Sequence, residues 1–267
     1  INAYICSVKR LSDRGARAIA IGLVVLTAVL AGGVALWRVL RPRQPHVEVD
    51  YARYPVRGLD ISAHNGAPDF DSIAAAGIDF VYLKASEGLT LNDPAFLRNY
   101  LAARRAGLKV GAYHFFRFDC DGMGQAANFL TSTEKCDLQL PMAIDIEEWG
   151  NPAGVATEII NERIATMVAV VGSQRGPTII YTNKNGDARF VRHQYDSLDG
   201  SDPELWICSF TDPPLTRRPW RIWQHSHVGK VPGIVGEVDL NIFNGSRGEW
   251  LQWLDSLSNT IKQPLRR

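Results

Sequence analysis

The chain has 267 residues, 46% of them hydrophobic, and a formal net charge of +1. Seven of its 29 Lys and Arg lie in the first fifty residues against three acids, so the remainder is mildly acidic. That balance argues against a nucleic-acid groove, and the residues beyond position 50 suffice for one α/β barrel or sandwich, or for two small domains.

In chain order, residues 18–37 come first: twenty positions without a charge. As a helix they would span about 30 Å, the thickness of a bilayer core. Lys9, Arg10, Arg14 and Arg17 flank the run upstream, and Arg38, Arg41 and Arg43 downstream. The run reads as a signal anchor with its N-terminus in the cytoplasm. A cleaved signal, with a small-residue site near Val29-Leu30-Ala31, and a soluble core helix are the alternatives. The expected organisation is a short cytoplasmic segment (1–17), a transmembrane signal anchor (18–37), a linker (38–55) and a folded body (56–267). Either membrane reading puts the body outside the cytoplasm, anchored on the periplasmic or cell-wall side or else secreted.

Eight short strand-like runs follow: 57–62, 80–86, 109–116, 141–147, 178–183, 205–210, 221–226 and 238–243. Helical patterns at 71–76, 94–106, 124–133 and 156–171 separate the first five. Strands alternating with helices predict parallel pairing and right-handed crossovers. The later strands have no full-length helices between them. The fold class is therefore α/β, an irregular TIM-type barrel of eight strands with an incomplete helical ring. Cys120 and Cys136 could pair in an oxidising compartment, although the helix expected between them holds them apart. No C-x-x-C occurs, and the histidines, His225 and His227 included, are not spaced as a metal set.

The strand at 141–147 is unusual. Side chains alternate across a strand, so Met142, Ile144 and Ile146 share one face while Ala143, Asp145 and Glu147 share the other. Two acids two residues apart lie roughly 6–7 Å from one another along the chain. They push each other's pKa values apart, the asymmetry that glycoside hydrolysis uses. In a barrel the C-terminal strand ends carry the site. Asp60 on the first strand and Asp239 on the last become neighbours when the barrel closes, across the mouth from Asp145 and Glu147. Four converging carboxylates are costly unless used or paired. Lys84 and Arg117 are the partners a purely structural role would require. Tyr82, Tyr113, Phe115, Tyr181, Trp206 and Trp223 gather near strand ends, where aromatic walls suit the apolar faces of sugar rings. For any one of them, a place in the core is favoured over a sugar subsite.

Gly58-Leu-Asp-Ile-Ser-Ala-His-Asn-Gly66, followed by Asp69-Phe70, resembles the opening of the glycoside hydrolase family 25 lysozymes. So do Phe80-Val-Tyr-Leu-Lys-Ala-Ser-Glu-Gly88 with Asp93, Phe96 and Asn99, and Ala106-Gly-Leu-Lys-Val-Gly-Ala-Tyr-His-Phe-Phe116. Asp145-Ile-Glu147, Ile222-Trp-Gln-His-Ser226 and Val238-Asp-Leu-Asn241 are similar to the family's acidic pair and closing segments. The resemblance implies five β/α units plus three further strands. It implies a peptidoglycan hydrolase, an N-acetylmuramidase cleaving the β-1,4 bond between N-acetylmuramic acid and N-acetylglucosamine. By matching position, Glu147 is the general acid, Asp145 supports it, and Asp60 and Asp239 complete the acidic floor. Tyr113, Tyr181, Gln224 and Trp206 are the candidate sugar contacts. The implied partners are the peptidoglycan glycan strand and a membrane through the N-terminal helix, with no nucleic acid, no metal and no organic cofactor. A chitinase-type hexosaminidase and a non-catalytic glycan-binding module are the competing readings. Among catalytic courses, the i, i+2 spacing favours attack by the substrate's own N-acetyl oxygen, with Asp145 supporting it.

Overall fold

The computed structural model describes residues 13–40, 47–195 and 202–261. The chain divides into two compact units, Ile1–Gln44 and Pro45–Arg267. The described part of the first is a single helix, α1 (Asp13–Leu40). Its side chains are described over residues 20–33, exposed throughout, a length of about 20 Å at helical rise. Among the described residues no helix is long and apolar enough to cross a membrane. Cys6 and the flanking Lys9, Arg10, Arg41 and Arg43 lie outside them.

The second unit is a closed barrel. Its strands are β1 (Arg57–Ile61), β2 (Phe80–Glu87), β4 (Lys109–Phe115), β5 (Met142–Asp145), β6 (Thr178–Asn183), β7 (Glu204–Cys208), β8 (Ile222–Gly229) and β9 (Val238–Phe243), with a two-residue strand β3 (Leu91–Asn92) folded back on β2. All eight expected runs form barrel strands. The pairing runs β1-β9-β8-β7-β6-β5-β4-β2, and β2 closes the ring by pairing with β1. Every barrel pairing is parallel except those of β9, which is antiparallel to both neighbours.

The helices α2 (Phe70–Ala75), α3 (Phe96–Arg105), α4 (Gly122–Ser132) and α5 (Thr157–Arg175) lie where helical patterns were read. A short helix, α6 (Lys184–Gly186), continuing into a wider turn at Asp187–Val191, completes the fifth β/α unit. No helix separates β7, β8 and β9. Their outer face buries Leu205, Ile207, Trp223 and Ile242 beneath Val47, Val49, Tyr54 and Trp220. One expectation is overturned. The second half of the presumed linker is part of the body, with the Val47 N–H donating to the Phe210 carbonyl at 3.0 Å. Trp223 packs outward into this layer, the core place favoured for it over the mouth. The apolar strand faces left bare by the missing helices require such a cover.

The barrel interior is layered, and the alternation read in the fourth strand holds. Met142, Ile144 and Ile146 pack outward against the helices, while Ala143 packs inward. Two glycines permit the interior aromatics. A Cβ on Gly58 would stand 2.3 Å from the Phe80 ring, and one on Gly111 would stand 2.3 Å from the Tyr82 ring. Tyr82 then stacks on Trp206 with ring centroids 4.7 Å apart. Below them the closing helix α7 (Arg247–Thr260), which the strand-and-helix reading omitted, plugs the barrel with Trp250 and Trp253. Trp250 lies 5.3 Å from Phe80, and Trp253 lies 5.4 Å from Phe243. Ser246 and Glu249 form a capping box that starts α7. Cys120, Cys136 and Cys208 are free thiols. Cys120 precedes α4 and the buried Cys136 follows it, so the helix holds the pair apart.

Candidate active site

The site stands on the layer just described. A cavity of about 830 Å³ opens at the barrel mouth, and all four predicted acids line it. Asp60 and Asp239 are direct register partners across the β1–β9 pair. Asp239 sits at the start of β9, not at a C-terminal strand end. Because β9 runs backwards, its start lies on the same rim as the ends of the parallel strands. Asp145 ends β5, and Glu147 follows one step beyond it on the same face.

Among the described residues no ion pair holds the four acids. Lys84 Nζ bonds Glu87 Oε2 at 2.7 Å. Arg117 lies 3.3 Å from Asp119 and 3.9 Å from Glu87. The structural role considered for these two cations therefore fails. A bulge in β2 between Lys84 and Ser86 explains the Lys84–Glu87 pair. Strict alternation would put residues 84 and 87 on opposite faces, and the extra residue resets the phase so that both line the cavity. Lys84 is still near enough to pull the pKa values of Asp145 and Glu147 down against stronger opposing effects.

Asp60 is held by amides. Asn241 Nδ2 donates to its Oδ2 at 2.7 Å, and Gln224 Nε2 donates to the same oxygen at 3.0 Å. Each amide is fixed from behind. The Tyr181 hydroxyl donates to Gln224 Oε1 at 2.8 Å, and Trp206 Nε1 donates to Asn241 Oδ1 at 2.8 Å. Tyr181, Gln224 and Trp206, the candidate sugar contacts, line the cavity. Their polar atoms, however, are spent on orienting Asp60. The phenol of Tyr113 is different: it makes no hydrogen bond among the described residues and faces the acids. Burial, then the charges of Asp60, Asp145 and Asp239, raise its pKa well above the ordinary value, so it stays a donor.

The protons sort accordingly. Burial, then the charge and hydrogen bond of Asp60, push Asp239 up to about 9. Asp60 is raised too, chiefly by burial, but its amide donors and Asp239 oppose the rise. At neutral pH Asp239 holds its proton and faces Asp60, whose amide donors favour its ionised form. The second pair behaves in the same way. Burial and then Glu147 raise Asp145 well above the carboxylate range, and one of its oxygens, Oδ1, is buried with no partner. Glu147 is raised mainly by burial and lowered by its hydrogen bond from Asp145. Asp145 is therefore the stronger holder of a proton in this pair. Two carboxylate pairs face one another across the cavity.

Sequence reasoning missed three contributors. Asn241 was legible as the i+2 neighbour of Asp239 on one face. Trp149, 81% exposed, stands at the cavity rim on the loop after β5, and only its nearness to Glu147 in the chain signalled it. Asn183, at the end of β6, had no signal. Other motif residues prove structural: Asp69 caps α2, and Asp93 accepts from Ala63 N and Ala95 N, both at 2.8 Å. Glu148 points away and pairs with Arg189. Among the described residues no group of three or more His, Cys, Asp or Glu is arranged to hold a metal ion.

Comparison with known proteins agrees with this architecture. Residues 59–234 match the family described as glycosyl hydrolases family 25. The chain is 31% identical over 221 residues to the uncharacterized protein YegX of Escherichia coli strain K12, covering 78% of this chain and 77% of that protein. It is 31% identical over 212 residues to lysozyme M1 of Streptomyces globisporus, covering 73% of this chain and 70% of that protein. The crystal structure of the bacterial lysozyme from Streptomyces coelicolor is similar over 76% of this chain and 98% of that one, with a TM-score of 0.67 at 29% identity. The chain belongs to family 25 of the glycosyl hydrolases and is a glycoside hydrolase.

Proposed function

We propose that the protein is a peptidoglycan hydrolase that cleaves the β-1,4 bond between N-acetylmuramic acid and N-acetylglucosamine. The observation that carries this is the Asp145–Glu147 pair, two acids side by side in the cavity at the mouth of a barrel whose relatives include lysozyme M1. Glu147, nearer the solvent, is the general acid. As a muramic acid residue docks, its N-acetyl amide N–H faces Asp145, and a proton passes from Asp145 to Glu147. Glu147 then donates that proton to the glycosidic oxygen as the bond to the anomeric carbon breaks. The N-acetyl carbonyl oxygen attacks the anomeric carbon, and the ionised Asp145 stabilises the cationic ring so formed. Water opens the ring and returns its proton to Glu147. Asp60, ionised and fixed by Asn241 and Gln224, supplies negative potential opposite the developing positive charge. Tyr113 donates a hydrogen bond to the sugar, and the rings of Tyr181 and Trp206 shape the floor beneath it.

Digesting purified peptidoglycan and chitin oligomers in parallel tests this. Fragments with reducing-end muramic acid, released with retention of anomeric configuration, are expected. Cleavage of chitin oligomers alone would favour the hexosaminidase, and wall binding without products would favour a non-catalytic module.

The uncharged residues 18–37, with basic residues on both sides, further support a membrane anchor that holds the barrel outside the cytoplasm against the wall. Residues 1–17 then form a short cytoplasmic segment. Fractionation should find the full chain in membranes. A soluble mature protein lacking the first thirty or so residues would refute the anchor and leave the chemistry untouched.

A further inference from the structure

A second cavity, of about 700 Å³, adjoins the first. Asn183, Cys208 and Phe210 line both, so they form the common wall between the cavities. The second cavity lies between the end of β6 with α6 on one side and the loop from β7 to β8 on the other. We propose that it receives the peptide stem carried by muramic acid, making the enzyme selective for glycan bearing peptides over bare glycan. This rests on the muramidase reading above.

The chemistry of the walls supports that occupant over more linear sugar. Lys184 is exposed and makes no ion pair among the described residues, so it offers an unspent positive charge. Asn183 Oδ1 accepts from the N–H groups of Asn185 and Gly186, at 3.0 and 2.9 Å, which leaves its amide N–H₂ free to donate. The opposite wall is apolar: Pro213, Pro214 and Leu215, the last 84% exposed. That loop is braced internally, with Ser209 Oγ donating to the Asp212 carbonyl at 2.7 Å and Thr211 Oγ1 donating to the Asp212 carboxylate at 2.9 Å. A cation and an amide donor facing an apolar wall suit a short peptide with carboxylates and small alkyl side chains. The Asp212 carboxylate is placed for an amine on the same peptide. A neutral sugar chain would leave the lysine charge unused. The position fits as well, because a substituent on a sugar bound in the first cavity must leave that cavity sideways, and the wall at Asn183, Cys208 and Phe210 is where a second space adjoins it.

The test uses the full chain and two substrates: glycan strands with peptide stems intact, and the same strands stripped of peptide by an amidase. Wild type should prefer the intact strands. Lys184→Ala should lower kcat/KM on intact strands about tenfold, mainly through KM, and Lys184→Glu should lower it further. Leu215→Ala, at an exposed position that folding does not depend on, should lower it about threefold. All three variants should cleave stripped strands within about twofold of wild type. Equal losses on both substrates would mean that the second cavity extends the linear glycan site, and no loss on either would mean that it is unused. Both results overturn the proposal while leaving the muramidase assignment standing. A wild-type enzyme inert on both substrates overturns the assignment and the proposal together.

Discussion

Replacing Asp239 by Asn should make the protein more stable at neutral pH and less active. Asp239 carries a pKa of about 9 in the fold against 3.8 for an ordinary aspartate. At pH 7 the unfolded chain has released this proton and the folded chain retains it. The acid's contribution to stability is therefore fully present below about pH 4, is lost steadily as pH rises, and levels off above about 9. At about 1.4 kcal/mol per pH unit the full linkage at pH 7 is about 4 kcal/mol. The side chain is partly open to the cavity, and solvent screening cuts this to about 2 kcal/mol. An asparagine keeps the shape and a donor for Asp60 but has no proton to lose. Urea unfolding of both proteins at pH 4, 5.5, 7 and 8.5 provides the assay. The two should be nearly equal at pH 4, and the variant should lead by about 2 kcal/mol at pH 7, or roughly 4–8 °C in Tm for a body of this size. A gap that does not widen with pH, or a variant less stable than wild type at pH 7, would refute the proton assignment.

Other expectations follow from the same geometry. Gln224→Leu removes a donor to an ionised carboxylate, worth about 1.5–3 kcal/mol. kcat/KM should fall roughly tenfold to a hundredfold, and because the Asp60 pKa rises further, the acid limb of the pH–rate profile should move to higher pH. Trp149→Ala should raise KM about three- to tenfold, with kcat and thermal stability unchanged, as measured by steady-state kinetics and melting. Trp250→Ala should do the reverse, costing about 3–5 kcal/mol in denaturant unfolding through the cavity left at the barrel floor, while molecules that remain folded keep their kcat.

The eight strands were legible because each is a short apolar run with a consistent inward and outward face. The acidic face of the fourth was legible because Asp145 and Glu147 break an otherwise apolar alternation. Pairing of Asp60 with Asp239 followed from closure alone, since first and last strands must meet. What alternation hides is what depends on distant packing. Tyr181, Gln224 and Trp206 could be placed at the mouth, but the hydrogen bonds that turn them toward Asp60 come from three different strands. Helix α7 has a capping box, Ser246 with Glu249, visible in the chain, but its place beneath the barrel depends on Trp250 and Trp253 meeting distant strands. The cover formed by residues 47–54 carries only a short alternation, Val47 to Tyr51, too brief to show where it packs, and the bare outer faces of β7, β8 and β9 explain its place. The β2 bulge that places Glu87 beside Lys84 defeats a strict period of two.

The role of Glu147 as donor of the proton that breaks the muramic acid glycosidic bond can be tested directly. Its most direct test is reducing-end analysis of fragments released from purified peptidoglycan by wild type and by Glu147→Gln, side by side, with melting curves to confirm that both are folded. Wild type should release fragments with reducing-end muramic acid, and a fully folded variant should release none. Release by the variant at the wild-type rate, or reducing-end glucosamine from either protein, would contradict that role.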